Sequence, residues 1–365
     1  MPFLIKLVMR LLIFTILLSG VVHAQNVFPY IDNIGYMRSF QDGKAIQIEY
    51  LEPMDVKYSE KLIAFIDNKR DFFVWDGKTK EKLSNLVNGY QIGYNIVAWN
   101  TGPILMVWDS GEKMELTRFA KNYQVTDSLV VFEDVRDNAI RVYYDGEIHD
   151  LFYSVDRPVF PKAVGSNSVA FVGNGDVHYA FISGKKVEIG VINDKVHYSA
   201  GANKIAFNDP FHQSFACAHA TEVVDVERIM IQDYKAGWDL VAYRDLNDNL
   251  KCYMNDEIID LSNYNAREYK VFRNMVVWNE TGQLFVFDGN RKYEIANYIP
   301  EDYKIRDGIV AFRNLNGGVS VFDKGEVKVV SNLQNAPFEV NGSTVRVQVN
   351  RGNFLFYKDG ETWNK

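Results

Sequence analysis

Residues 269–289 read Tyr-Lys-Val-Phe-Arg-Asn-Met-Val-Val-Trp-Asn-Glu-Thr-Gly-Gln-Leu-Phe-Val-Phe-Asp-Gly, and the same pattern recurs along most of the chain. Its centre, Val276-Val277-Trp278, is a β-branched or Leu residue, then a small one, then an aromatic. Equivalent triplets are Ile63-Ala64-Phe65, Val97-Ala98-Trp99, Val130-Val131-Phe132, Val169-Ala170-Phe171, Ile205-Ala206-Phe207, Val241-Ala242-Tyr243 and Val310-Ala311-Phe312. Val345-Arg346-Val347 is a weaker ninth copy. Successive middle residues lie 34, 33, 39, 36, 36, 35, 34 and 35 positions apart. Self-similarity at a fixed period of this length marks a repeat architecture.

Two further columns keep step with the triplet. Seven residues before it stand Val56, Tyr90, Tyr123, Lys162, Tyr198, Tyr234, Tyr269, Tyr303 and Phe338, mostly aromatic. After it come a polar loop and a second apolar segment ending in a turn, as in Val74-Trp75-Asp76-Gly77, Val286-Phe287-Asp288-Gly289 and Val321-Phe322-Asp323-Lys324-Gly325. Asp-Gly is hairpin chemistry, because the turn needs positive φ. Each unit therefore holds four short strands and no helix-period segment. In the third strand, neighbours such as Val107 and Trp108 point to opposite faces, yet both columns are apolar. A sheet apolar on both faces must be covered on both, and a ring of blades achieves this without helices. The reading is an all-β chain forming a single β-propeller of about nine four-stranded blades, within a range of eight to ten. A β-solenoid is the rival, but Asp-Gly hairpins speak against its long parallel rungs. Residues 36–51, with Asp42-Gly43 as a turn, look like a half-repeat that would complete the last blade and close the ring.

The N-terminus reads as a signal peptide over residues 1–24: Lys6 and Arg10 precede an apolar run from Leu11 to Val22, and Val22-His23-Ala24 is a cleavage site. The run is short for a spanning helix, which takes about 20 apolar residues. The domain expected is then residues 25–365, exported to the periplasm or beyond, with no transmembrane segment after cleavage. Removing the leader takes the formal net charge from −7 to −9. An acidic chain without a basic block offers nothing to nucleic acid. Cys217 and Cys252 fall one repeat apart, in a column otherwise held by Val or Ala. Equivalent strands of neighbouring blades are usually too far apart for a disulfide, which needs Cα atoms within about 7 Å, so both read as small buried hydrophobes.

The Val-Trp-Asp and Val-Phe-Asp strand endings resemble those of WD40-type and TolB-type propeller repeats, although the units are shorter than WD40 repeats and lack the Gly-His dipeptide. With the leader and the many short blades, the chain also resembles exported propeller proteins of Bacteroidota, such as the plug-like propeller subunit of the type 9 secretion translocon. That resemblance implies a periplasmic or secreted protein that binds a protein partner in an envelope or outer-membrane complex.

Catalytic signatures are missing at motif level: no nucleophile elbow, no His-Glu-x-x-His, no phosphate loop and no dinucleotide fingerprint. No catalytic residue, cofactor or metal is assigned. The loop between second and third strands carries Arg70, Arg136, Arg244, Arg313 and Arg351, and guanidinium groups in a ring could receive a carboxylate, a sulfate or an acidic partner. The same loops hold Asp67, Asp71, Asp134, Asp137, Asp245 and Asp248, which would neutralise much of that field. His178, His197, His212 and His219 cluster in units 4 and 5 without metal-ligand spacing. His212 lies in the unit that departs most from the pattern, where Ala218 replaces the usual aromatic. The candidate binding residues are thus Arg70, Arg136, His212, Arg244, Arg313 and Arg351. The functional expectation is a non-catalytic protein-interaction module. The alternative is a carbohydrate-binding or glycoside-active propeller, which requires a funnel at the ring axis with at least two carboxylates beside exposed aromatics.

Overall fold

The computed structural model describes residues 26–365 except 194, 265 and 267; the expected signal peptide lies outside the described residues. Ten antiparallel sheets follow one another along the chain, each made of consecutive strands. Blade 1 has three strands, Phe28–Ile31, Met37–Gln41 and Lys44–Glu49. Blades 2 to 10 have four each and begin at Asp55, Gly89, Ala120, Ala163, Tyr198, Asp233, Tyr269, Tyr303 and Phe338. The nine triplets all lie on second strands, and the first triplet residue pairs with the aromatic of the third strand: Ile63 with Trp75, Val97 with Trp108, Val276 with Phe287.

The all-β propeller reading therefore holds, with ten blades at the upper bound of the expected range. The expected half-repeat is corrected. Residues 36–51 do not complete the last blade, because Phe338–Asn341, Thr344–Asn350, Asn353–Lys358 and Glu361–Asn364 already supply its four strands. The N-terminal segment forms a blade of its own, matching the second to fourth strands of the others. It closes the ring by packing: Phe28, Tyr30 and Phe40 against Phe356 of blade 10, and Val27, Met37 and Ile48 against Ile63, Phe65 and Trp75 of blade 2.

Apolar residues on both faces of each sheet fill the seams between blades. Between blades 2 and 3 the core is Leu62, Ala64, Phe72 and Val74 against Tyr90, Val97, Trp99 and Trp108. At about 25 cal/mol per Å² of apolar area removed from water, these repeated seams are the main cohesion of the ring. The tyrosine column belongs to them: Tyr90 and Tyr269 are buried, and each hydroxyl donates to a carbonyl of the preceding blade, Ala64 O and Ala242 O, at 3.4 Å. Cys217 and Cys252 are buried and unpaired, as small hydrophobes in equivalent third strands.

First strands of successive blades contact one another and form the inner wall. Their inner edges would expose unpaired backbone groups. Polar side chains six residues before four of the triplets cover them. Lys57 Nζ donates to Tyr90 O at 2.7 Å, Gln91 Nε2 to Tyr123 O at 3.0 Å, Lys235 Nζ to Tyr269 O at 2.8 Å and Lys304 Nζ to Phe338 O at 2.6 Å. In each case the acceptor is on the innermost strand of the next blade.

Candidate functional site

An up-and-down meander gives each blade two unlike ends. The turns joining first to second and third to fourth strands lie at one end, called here the turn end. The loops joining second to third strands and the links between blades lie at the other, the loop end.

At the turn end, the residue three positions before each triplet projects from the inner turn. This column reads Glu60, Tyr94, Asp127, Ser166, Ala202, Trp238, Arg273, Asp307 and Gly342. The side chains meet across the ring. Arg273 Nη2 donates to Glu60 Oε2 at 2.8 Å and Nη1 pairs with Asp307 Oδ1 at 2.9 Å. The guanidinium lies 4.2 Å from the Trp238 ring centroid and 5.1 Å from that of Tyr94. Trp238 Nε1 in turn donates to Ser166 Oγ at 3.2 Å, and Ser166 Oγ donates to Asp127 Oδ2 at 2.7 Å. Seven blades are thereby knitted together at this mouth. Burial pushes the Glu60 carboxyl above its ordinary range despite the Arg273 guanidinium. Burial works against the Arg273 charge, but the Glu60 and Asp307 carboxylates outweigh it and hold the guanidinium above its usual value. Backbone bonds complete the collar: Tyr94 N to Asp127 O at 3.0 Å and Trp238 N to Arg273 O at 3.1 Å. A turn this close to its neighbour leaves no room for a side chain. A Cβ on Gly237 would stand 1.9 Å from Arg273 O.

The loop end has a different chemistry. Exposed large apolar side chains among the described residues include Ile34, Tyr50, Leu51, Phe119, Val155, Phe211, Leu246, Tyr264, Ile299, Leu315 and Leu333, all in loop-end segments. Phe211 is 84% and Leu315 75% exposed. Outside this end, the exposed large apolar side chains are Ile148, Ile258, Val327 and Val329, on outermost strands. Ile148, Ile258 and Val327 stand one residue inside the fourth strand from a turn-end turn, and among the described residues the turns themselves hold none.

All six candidate binding residues lie at the loop end, one per blade. Arg70 and Arg351 are exposed. Arg136 stacks on Phe119, 5.4 Å from its centroid. Arg244 is paired with Asp233 at 2.9 Å and Asp248 at 3.6 Å. His212 Nδ1 lies 2.7 Å from Asp209 Oδ2, and the hydrogen bond to that carboxylate holds the imidazole above its ordinary value. Among the described residues no hydrogen bond or ion pair joins any two of the six. The structure places them around one face but does not bring them into one constellation.

Arg313 lines a cavity. A cavity of about 210 Å³ opens in the seam between blades 9 and 10, lined by Asp302, Lys304, Arg313, Phe338, Arg346 and Phe354 among others. Arg313 Nη1 donates to Gly317 O at 3.1 Å and Ala336 O at 3.0 Å, and its guanidinium stacks 5.0 Å from the Phe338 centroid. Arg346 pairs with Glu339 at 2.5 Å. The sequence signals for this cluster were Arg346 in the column of small residues and Glu339 in a column rich in Lys. The collar left no sequence signal, because its members share a position and not a residue type.

The histidines do not converge. His178 Nδ1 contacts the Tyr198 hydroxyl at 2.7 Å and Nε2 contacts Ile192 O at 3.0 Å. His219 lines a separate cleft with Glu222, Asp225, Tyr253 and Asp256. Among the described residues, no three His, Cys, Asp or Glu side chains are grouped as a metal site.

The sequence pattern of the family described as 10-bladed beta propeller domain matches residues 21–363. The chain belongs to this family. No curated protein matches. Among solved structures, the chain is similar to the computationally designed Ika8 protein, at 13% identity and TM-score 0.36 over 74% of this chain and 96% of that one. It is similar to AztD of Citrobacter koseri, at 10% identity and TM-score 0.36 over 84% and 93%. A further similarity is to PorZ of Porphyromonas gingivalis, a surface component of the type-IX secretion system, at 8% identity and TM-score 0.28 over 93% and 60%.

Proposed function

We propose that this ten-bladed propeller is an exported, non-catalytic docking module that presents its loop end to a protein partner in an envelope assembly. One observation carries the reading: most of the exposed large apolar side chains among the described residues are gathered at the loop end of the ring. Scattered surface apolar residues are ordinary, whereas a face that collects them is a recognition surface. Aromatic and aliphatic residues such as Phe211, Leu246, Tyr264 and Leu315 are the side chains that supply binding energy once desolvated. The loop end mixes them with Arg70, Arg136 and Arg351, the polar rim of a protein interface.

The carbohydrate reading requires free carboxylates beside exposed aromatics at the axis. The collar does combine Glu60, Asp127 and Asp307 with Tyr94 and Trp238. Arg273 occupies its centre, however, and is paired with Glu60 and Asp307, so these groups act on one another. Docking at the loop end leaves the collar as a structural clasp.

The test is capture from detergent-solubilised envelopes of the source organism, comparing the tagged mature protein with a Phe211→Asp/Leu246→Asp variant. One stoichiometric partner that the variant fails to hold supports docking by this face. Equal recovery by both proteins, or no specific partner together with binding on a glycan array, moves the function to the turn end or to carbohydrate. N-terminal sequencing of the exported protein is expected to start at Gln25.

A further inference from the structure

We infer that the cavity between blades 9 and 10 binds a carboxylate and anchors an acidic side chain of the docking partner. The choice of partner rests on the docking reading above; the carboxylate site rests on the cavity itself. Three cations line it in a chain of net charge −7. Arg346 is committed to Glu339. Lys304 and Arg313 are not: their described contacts are to the carbonyls of Phe338, Gly317 and Ala336 and to one aromatic ring. Both stand over the Phe338 ring, at 5.1 Å and 5.0 Å from its centroid. Their positions are thus fixed before any ligand arrives.

Arg313 uses Nη1 for both carbonyls. Its Nε and Nη2 have no partner among the described residues, and these two nitrogens form an edge that matches the two oxygens of a carboxylate. Phe338 and Phe354 supply apolar walls for the methylene groups of Glu or Asp. A volume of about 210 Å³ suits one side chain rather than a folded segment. Asp302 also lines the cavity and has no side-chain partner among the described residues, so it works against the bound anion.

The experiment titrates N-acetylglutamate, N-acetylglutamine and inorganic phosphate against the mature protein by ligand-observed NMR. N-acetylglutamate is expected to bind, and the amide to bind about tenfold more weakly, the worth of one charged hydrogen-bonded pair; phosphate, which has no methylene groups to lie against Phe338 and Phe354, is expected to bind more weakly than the acid. Arg313→Gln and Lys304→Gln are expected to weaken the acid several-fold, and Asp302→Asn to tighten it. Asp302→Asn removes no described contact, so it tests the charge argument even where Arg313→Gln loosens the seam. Acid and amide binding alike, or Asp302→Asn weakening the acid, would overturn the site. Phosphate binding as tightly as the acid would overturn the acidic-side-chain assignment. If the acid does not bind while Phe211→Asp/Leu246→Asp still abolishes partner capture, docking stands and this inference falls.

Discussion

The Tyr58 hydroxyl donates to Glu339 Oε2 at 2.9 Å across 281 positions of sequence. Tyr58 lies on the innermost strand of blade 2 and Glu339 on that of blade 10, so these two inner strands meet although blade 1 stands between their blades. Blade 1 brings no first strand among the described residues, and side chains take its place. Arg346 Nη1 donates to Pro29 O at 2.5 Å, its guanidinium lies 4.7 Å from the Phe28 centroid, and Asn341 Nδ2 donates to Val27 O at 2.6 Å. Proline on that unpaired edge fits a strand that has no inner strand to bond.

Arg346→Ala restores the small residue found at this position elsewhere, yet it is expected to destabilise the protein by about 1–2 kcal/mol, because it leaves the Pro29 carbonyl without its donor and uncovers the edge of blade 1. Chemical denaturation measures this. An unchanged midpoint would mean that the guanidinium does not hold the closing seam. A double-mutant cycle of Tyr58→Phe and Glu339→Gln is expected to give a coupling of about 1 kcal/mol.

Lys204 breaks the repeat in the opposite sense. Its position, just before the triplet, is Leu62, Ile96, Leu129, Leu240, Met275 and Ile309 in other blades, all buried core. Lys204 is only 6% exposed, and its ammonium lies 4.3 Å from the Tyr253 centroid with no ion pair among the described residues. The same seam has lost an acceptor. Tyr143 and Tyr357 donate to Asp109 and Asp323 of the preceding blade, where the blade before Tyr253 has His219, and Tyr253 donates instead to Asp256 at 3.0 Å. Lys204→Leu is expected to raise stability by about 1–2 kcal/mol, since a buried charge without a partner is costlier than a well-packed aliphatic. A lowered melting temperature would show that the ammonium contributes to the seam.

Nine blades were legible because a seam needs the same apolar residues each time it recurs, which writes a period into the chain. The tenth showed in the sequence only as the half-repeat at residues 36–51, whose Asp42-Gly43 turn joins two of its three strands. Pro29 lies 35 positions before Ala64, in step with the repeat, but Phe28-Pro29-Tyr30 replaces the small residue by proline, and the aromatic column seven residues earlier falls on Val21. The loop arginines could be counted from the sequence. Which of them lines a cavity with other cations depends on Arg346 and Lys304, which come from different blade positions and are joined only by the ring. The Arg273 collar was hidden for the same reason: contacts at an axis are shared among blades and repeat in none.

The collar turns also set a steric limit. Gly237→Ala would drive a Cβ to 1.9 Å from Arg273 O and break the bond from Trp238 N. Relief requires the turn to move off the next blade, at an expected cost above about 3 kcal/mol. Gly102→Ala is the control: its φ is +59° with nothing within 4 Å, so only the left-handed backbone penalty of about 1 kcal/mol applies. Similar losses for both would show that the inner turns are not in contact as described.

Stability is expected to fall as the protein is acidified from about pH 7 to pH 5. His178 fixes the sign. Its Nε2 faces the Ile192 carbonyl and therefore carries the proton, leaving Nδ1 to accept from the Tyr198 hydroxyl. Burial lowers its pKa below the ordinary 6.5, and burial with Lys204 nearby does the same at His219. The unfolded chain takes up these protons first, so stability is present above pH 6.5 and is lost as pH falls toward the folded values. Glu60 acts with the opposite sign. Its raised pKa means that its contribution is complete below the ordinary carboxylate value of 4.5 and is lost as pH rises past the folded one. His212 is solvent-exposed, and its rise beside Asp209 is screened. Melting curves between pH 5 and 7 are therefore expected to steepen in favour of the neutral end, with His178→Asn flattening the slope. A flat wild-type profile, or one unchanged by that substitution, would show that His178 is not held neutral in the seam.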